Sequence, residues 1–338
     1  MEGSLLQAIT QTGKIVFHAV GDTGAAKPTG PVTEARVADL MAADVAAGGP
    51  LAPAFFFHLG DVVYHFGEGQ FYYDQFYEPF RAYDRPIFAI PGNHDGMVFG
   101  PNADVAKIPT LQAFVRNFCA ATPGPSPDAG GLVRSVMTQP GVYFTLDAPF
   151  VSIIGLYSNV LEGPGVISSE GGKYPIPDDQ LNFLATELTR LKPLRQAGER
   201  AVIVAVHHPP LSVDSKSGGT KGLSNDIDAA CNQAGLWPDA VLSGHAHLYQ
   251  RFTRQVNGRQ IPYVVSGSGG FAATPPRPGV PPAPVTVGDT TLAKDPIVAF
   301  GYLTVTTDAK TLTIAFRSSD PNIAPDSVTV DLQKGTIV

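Results

Sequence analysis

Apolar residues gather in short, nearly unbroken blocks at residues 15–20, 54–59, 86–90, 150–157, 201–206, 240–243 and 261–265. Blocks of this length, with little polar alternation, predict strands buried on both faces. Between some of them the period lengthens. Val37, Leu40, Met41 and Val45 share one helical face of residues 33–46, and Gly48-Gly49-Pro50 stops that helix. A second helix is expected from about Pro177, with an acidic first turn and Leu181, Leu184, Leu188 and Leu191 at helical spacing. Strand–helix–strand alternation predicts an α/β core.

Towards the C-terminus the period drops to two. Residues 301–306, 311–317 and 327–332 read as antiparallel strands completing a second sheet, with Asp308-Ala309-Lys310 turning between the first two. The Pro- and Gly-rich stretches 121–131 and 273–284 read as surface loops. No internal repeat is evident, and the chain reads as one domain over residues 1–338, with its motifs between about 15 and 270.

The polar residues of chemical interest sit just beyond the apolar blocks. Gly21-Asp22-Thr23-Gly24 follows the first, Gly60-Asp61-Val62-Val63-Tyr64 the second and Gly92-Asn93-His94-Asp95 the third. His207-His208-Pro209-Pro210 and Gly244-His245-Ala246-His247 follow two later ones. In open α/β sheets, ligands bind at the carboxyl ends of strands. Carboxylate, phenol and amide oxygens are hard ligands, and imidazole suits iron and zinc. A carboxylate can bridge two cations about 3.5–4 Å apart, as in two-metal hydrolases. His245 and His247, two apart on an extended segment, project the same way. A single Gly-Asp is commonly just a turn. Five such blocks in order, each at a strand end, point to a shared metal site.

Composition narrows the picture. With 43% hydrophobic and 16% charged residues, the 338-residue chain reads as a soluble globular protein with a sizeable core. A formal charge of −7 argues against a broad nucleic-acid-binding face, so bound metal is the expected source of positive charge for an anionic substrate. Cys119 and Cys231 are too few for a disulfide scaffold; one bridge or two buried thiols both fit. No run of about 18 apolar residues predicts a membrane span. The first eleven residues lack a signal-peptide pattern and are expected to run straight into the first strand. Neither compartment nor oligomeric state is predicted.

These ordered blocks resemble the calcineurin-like metallophosphoesterases, and specifically their purple acid phosphatase branch. The general family usually carries Asp-x-His in its first block; here the His position is Gly24. The purple branch has Gly-Asp-x-Gly there and adds a metal-binding tyrosine in Gly-Asp-x-x-Tyr, matching Gly60 to Tyr64. The run from Gly244 to Arg251 is similar to the branch's Gly-His-x-His-x-Tyr-Glu-Arg, with Gln250 in place of Glu. Gln180-Leu181 and the run from Val264 to Gly270 are also similar. The branch's N-terminal β-sandwich is missing, which makes this resemble the short form.

The resemblance implies a four-layer α/β/β/α sandwich of two mixed sheets flanked by helices. It implies that Asp22, Tyr64 and His247 hold one metal and Asn93, His207 and His245 a second, with Asp61 bridging. His94 would protonate the leaving group, Asp95 would orient His94, and His208 would contact the phosphate. Asp22, Asp61, phenolate Tyr64 and a bridging hydroxide carry four negative charges, so one trivalent and one divalent ion leave the cluster at plus one. This favours Fe(III) in the first site, with Zn, Mn or Fe(II) in the second. Hydroxide generated on the metals would attack phosphorus in line.

The expected activity is acid phosphatase-like hydrolysis of a small phosphate monoester. A phosphodiesterase or nucleotide pyrophosphatase is the alternative, and an inactive metal-binding scaffold the less favoured one. Loops 96–107, 121–131 and 273–284 would discriminate among substrates. Elsewhere His18 reads as a core histidine, and His58 is left open, a hydrogen-bonding place behind Asp61 being one of its readings. His65 is left open between cleft and solvent. Lys216 and Lys221 read as members of a solvated loop, and Tyr72, Tyr73, Phe76 and Tyr77 as a packed cluster.

Overall fold

The computed structural model describes residues 3–25, 30–49, 51–96, 111–158, 165–169 and 176–338. Its helices are α1 (Gly3–Thr12), α2 (Gly30–Ala46), α3 (Asn93–Gly96), α4 (Gln112–Phe118), α5 (Asp179–Gln196) and α6 (Lys221–Ala234), with a π turn at Tyr73–Tyr77. Strands β1 (Ile15–Val20), β2 (Phe56–His58) and β3 (Ile87–Ala89) lie parallel in one sheet. A second sheet is built from β4 (Phe144–Ala148), β5 (Phe150–Leu156), β6 (Arg200–Val206), β7 (Ala240–Ser243), β8 (Tyr249–Val256), β9 (Arg259–Ser266), β10 (Val285–Val287) and β11 (Thr290–Ile297). Its order is β10-β11-β8-β9-β7-β6-β5-β4, with β5, β6, β7 and β9 mutually parallel.

The C-terminal strands correct one expectation. β12 (Gly301–Thr307), β13 (Thr311–Ser318), β14 (Asp326–Asp331) and β15 (Thr336–Ile337) do not complete the second sheet. They extend the first one, because β12 pairs antiparallel with β1 from Ile15↔Thr307 to Ala19↔Leu303. The two-residue period shows that one face is buried, but it does not say which free edge a strand will join. Here Leu303, Val305, Leu312, Ile314 and Phe316 enter the same apolar layer as Phe17 of β1.

Packing follows from the alternation along each strand. On β6, Ala201, Ile203 and Ala205 face the layer between the sheets, while Val202, Val204 and Val206 face α5 and α6. On the other side Val37, Ala38, Met41 and Val45 of α2 pack on Val20, Phe56 and the aromatic cluster around Tyr72, Phe76 and Tyr77. Two sheets between two helical layers result, as the resemblance implied. Each such buried aliphatic side chain contributes roughly 1.5–3 kcal/mol of burial free energy.

Other departures have local causes. The chain does not run straight into β1, because α1 precedes it and buries Ile9 against the inter-sheet layer. Lys221 opens α6 and is not part of a loop, because Leu223, Ile227, Ala230, Cys231 and Ala234 recur at helical spacing on the second sheet. Loop 121–131 is tied down by a two-pronged ion pair of Arg116 on α4 with Asp128. Loop 273–284 runs beside the strand ends, with the Thr274 amide donating to the His247 carbonyl. Loop 96–107 lies outside the described residues beyond Gly96. Cys119 and Cys231 are both free thiols. Among the described residues no helix is long and apolar enough to cross a membrane.

Candidate metal centre

The carboxyl ends of β1, β2, β3, β6 and β7 meet where the two sheets adjoin, and the backbone there is tightly specified. Asp22, Asp61 and His245 have φ of 60°, 56° and 65°, a left-handed conformation costing non-glycine residues of order 1–3 kcal/mol each. The Asp22 amide donates to the Gly60 carbonyl at 2.9 Å, joining the turns after β1 and β2. At Gly92 a Cβ would lie 2.1 Å from Asp61 Oδ1, so only glycine lets the third turn approach.

Seven side chains scattered through the sequence converge there. The Tyr64 hydroxyl lies 3.1 Å from Asp22 Oδ1 and 3.0 Å from Asp61 Oδ2. His247 Nε2 is 3.3 Å from Asp22 Oδ1. His207 Nε2 is 3.3 Å from Asp61 Oδ2 and 3.2 Å from Asn93 Oδ1, and His245 Nδ1 is 2.9 Å from that same amide oxygen. Ligand atoms of Asp61, His207 and His245 lie within 4.8 Å of one another.

The donor set fits cations. His207 Nδ1 is 2.8 Å from the Leu59 carbonyl, which only accepts, so Nδ1 carries hydrogen and a neutral ring turns its Nε2 lone pair inward. Without a cation, that nitrogen must carry a proton towards the oxygens of Asp61 and Asn93. The single Tyr64 hydroxyl hydrogen cannot serve both aspartates. Electron-pair donors therefore outnumber the hydrogens between them, which is the condition a pair of metal ions relieves.

The electrostatics agree. Burial opposes ionisation of Asp61, but His207, His94 and His245 hold its carboxyl well below the usual range. Burial also disfavours a charged His207, yet Asp61, Asp22 and the Leu59 carbonyl raise it to about 9. Burial and His207 keep His245 down at about 4. Burial, Asp22 and Asp61 push the Tyr64 phenol well above its ordinary value, so a phenolate there needs a cation beside it.

The remaining expected residues divide. His94 is half-buried; its amide donates to Asp61 Oδ1 at 2.8 Å, and its Nδ1 lies 2.8 Å from the His65 carbonyl. Asp95 does not orient His94. Its carboxylate accepts the amides of Gly92 (2.8 Å), Val62 (3.0 Å) and Val63 (3.2 Å), clamping the second and third turns together. His208 is buried in the wall, with Nδ1 2.8 Å from the Ser158 hydroxyl and its ring 4.4 Å from that of His245. His58 is buried at the end of β2, and its hydrogen bonds go to the neighbouring turns and not to the Asp61 carboxylate. Its Nδ1 accepts the Gly60 amide at 3.1 Å and its Nε2 lies 2.9 Å from the Thr23 hydroxyl. His65 is exposed beside His94, and His18 is a core residue.

Two supporting residues carry no motif in the sequence. Gln75, buried in the π turn, accepts the Tyr64 amide and donates to the Tyr64 carbonyl, both at 2.8 Å. Its one signal is a lone amide within an aromatic run. Phe271 stacks on Tyr64 at 3.6 Å with the rings 1° apart, a contact that nothing in local sequence announces.

By structure, the chain is similar to GAP50, the anchor in the inner membrane complex of Plasmodium, at 13% identity over 96% of this chain and 91% of that one, TM-score 0.64. It is similar to PhoD at 13% identity, over 96% and 71%, TM-score 0.55. A dimetal phosphatase from Danio rerio matches at 10% identity, over 93% and 98%, TM-score 0.53. At these identities the likeness shows the fold alone. No curated protein matches the chain by sequence. Residues 15–249, more than half of the chain, match the family described as calcineurin-like phosphoesterase, and the chain belongs to that family of metal-dependent phosphoesterases.

Proposed function

We propose that this protein is a two-metal phosphatase of purple acid phosphatase type, hydrolysing small phosphate monoesters. The observation that carries this reading is the Tyr64 hydroxyl, set within 3.1 Å of both Asp22 and Asp61. Asp22, Asp61, Tyr64 and His247 would hold Fe(III); Asp61, Asn93, His207 and His245 would hold Zn, Mn or Fe(II). Bound there, the two cations supply activated water at moderate pH and neutralise charge on the phosphoryl oxygens.

The side chains divide the remaining work. His94 anchors its backbone on Asp61 and gives its Nδ1 hydrogen to the His65 carbonyl. The ring is thereby fixed with Nε2 turned from that carbonyl, and in the doubly protonated form it delivers the Nε2 proton to the departing alkoxide oxygen. Phe271 covers the face of Tyr64 and keeps water from the phenol. Asp95 holds the turns bearing Asp61 and Asn93 in register.

Hydrolysis of a monoester and a diester sharing one leaving group, with a visible spectrum of the aerobic protein, tests the reading. The expected outcome is faster monoester turnover by a pink to violet protein. Faster diester turnover would replace the monoesterase assignment. An active, colourless, iron-free enzyme would remove the iron and leave the two-metal site. A protein that binds two metals and turns over neither ester would be a scaffold.

A further inference from the structure

His245 can offer only one ring nitrogen to a metal, and the other needs a partner. For His207 that partner is the Leu59 carbonyl. For His245, Nδ1 faces Asn93 in the site, and Nε2 faces outward to the Ser217 hydroxyl at 3.0 Å. We propose that Ser217 is the positioning residue of the second metal site, accepting the Nε2 hydrogen of His245 so that Nδ1 presents its lone pair inward. This rests on the two-metal reading above.

The loop carrying Ser217 is built around buried polar groups. Asp214, 3% exposed, accepts the amides of Lys216 and Ser217 at 2.9 Å each and that of Gly218 at 2.8 Å. The Ser212 hydroxyl donates to Asp214 at 2.8 Å. Gln250 on β8, fully buried, donates to the Ser212 hydroxyl at 2.8 Å and accepts the Val213 amide at 2.7 Å. Hydrogen bonds thus lead from the second sheet through Gln250, Ser212 and Asp214 to the Ser217 backbone, whose side chain ends on His245. The direction is set at the buried end. Asp214 only accepts, so Ser212 gives it its hydrogen and receives one from the Gln250 amide. A glutamate at position 250 in its ionised form would have no hydrogen to give and would face Asp214 across Ser212. This accounts for Gln where the resembling motif has Glu.

Ser217 itself is exposed at the rim, so its truncation leaves no cavity and spares the fold. The test is zinc titration of the chelator-treated full chain against a competing chromophoric chelator, for wild type, Ser217→Ala and Ser217→Thr. Wild type is expected to bind two zinc ions. In S217A one of the two affinities should fall on the order of 10-fold or more, the other staying put, with S217T restoring it. In the zinc-loaded wild type, the His245 Nε2–H should give a slowly exchanging proton resonance that S217A loses. Two wild-type affinities in S217A, or an unchanged Nε2–H signal, overturn the role of Ser217 and leave the metal pair standing. A wild type that binds no zinc at all overturns both. A loss that threonine does not repair assigns Ser217 to loop structure alone and likewise overturns the proposal.

Discussion

Gly24 lies against the ring of Tyr64 with no room for a side chain of its own. A Cβ on Gly24 would lie 2.6 Å from the Val62 carbonyl oxygen, 2.7 Å from Gln75 Oε1 and 3.0 Å from Tyr64 Cδ2. The room a histidine would need in the first block is filled by the tyrosine and by the glutamine that holds it. Tyr64→Phe should therefore keep the ring stacked on Phe271 and keep the fold, while the visible absorption disappears and the first metal binds at least 10-fold more weakly. Gly24→His should not substitute for the phenol. Overpacking at this point should cost about 1–3 kcal/mol or more, read from urea unfolding. An intact visible band in Y64F would remove Tyr64 from the ligand set.

His94 carries the second prediction. Truncation to alanine keeps the backbone amide on Asp61 and removes only the ring. Turnover of an alkyl phosphate, whose leaving oxygen needs a proton, should fall about 10²–10⁴-fold. Turnover of a nitrophenyl ester, whose leaving group departs unaided, should fall far less. Equal losses on both substrates would take the acid role away from His94.

Much of this was legible because strand ends and ligand types leave local signatures. The continuous apolar blocks marked β1, β2, β3, β5, β6, β7 and β9, and the Gly-Asp, Gly-Asn and Gly-His turns marked where they end. What stayed hidden is non-local. Alternation along β12–β14 could not say that they would join β1, since that depends on which edge the folded sheet leaves open. Gln75 and Phe271 support Tyr64 from other segments, Gln75 from 11 residues away, and no local motif links them to it. Asp95 does not take the expected place beside the His94 ring, because three amides from two turns claim its carboxylate.

Metal removal should cost stability as well as activity. Without cations, Asp22 and Asp61 share one phenol hydrogen, and His207 must carry a proton to balance them. Each ion that binds only the folded chain stabilises it by about 2.7 kcal/mol at a free concentration 100 times its Kd. Chelation should lower the melting temperature, and added zinc or manganese should restore it dose by dose. A melting curve indifferent to both treatments would show that the cluster holds no metal.

Acid sensitivity should arise partly far from the site, at His18. The ring is fully buried on β1, with Nδ1 3.3 Å from the Tyr83 hydroxyl and Nε2 3.4 Å from the Asp44 carboxylate. Burial lowers its pKa; Asp44 pulls the other way, Arg317 adds to the lowering, and the result lies below the ordinary 6.5. The folded chain therefore takes up this proton less readily than the unfolded chain. Stability linked to His18 is fully present above pH 6.5 and is lost progressively as pH falls from there towards the depressed folded value. Urea midpoints of chelated wild type and His18→Gln, taken at about pH 7.5 and pH 5.5, isolate this contribution, because the site histidines are common to both. Wild type should lose more stability across that interval than the glutamine variant. The reverse order would mean that Asp44 holds His18 charged in the fold, and that α2 is tied to the sheet by an ion pair.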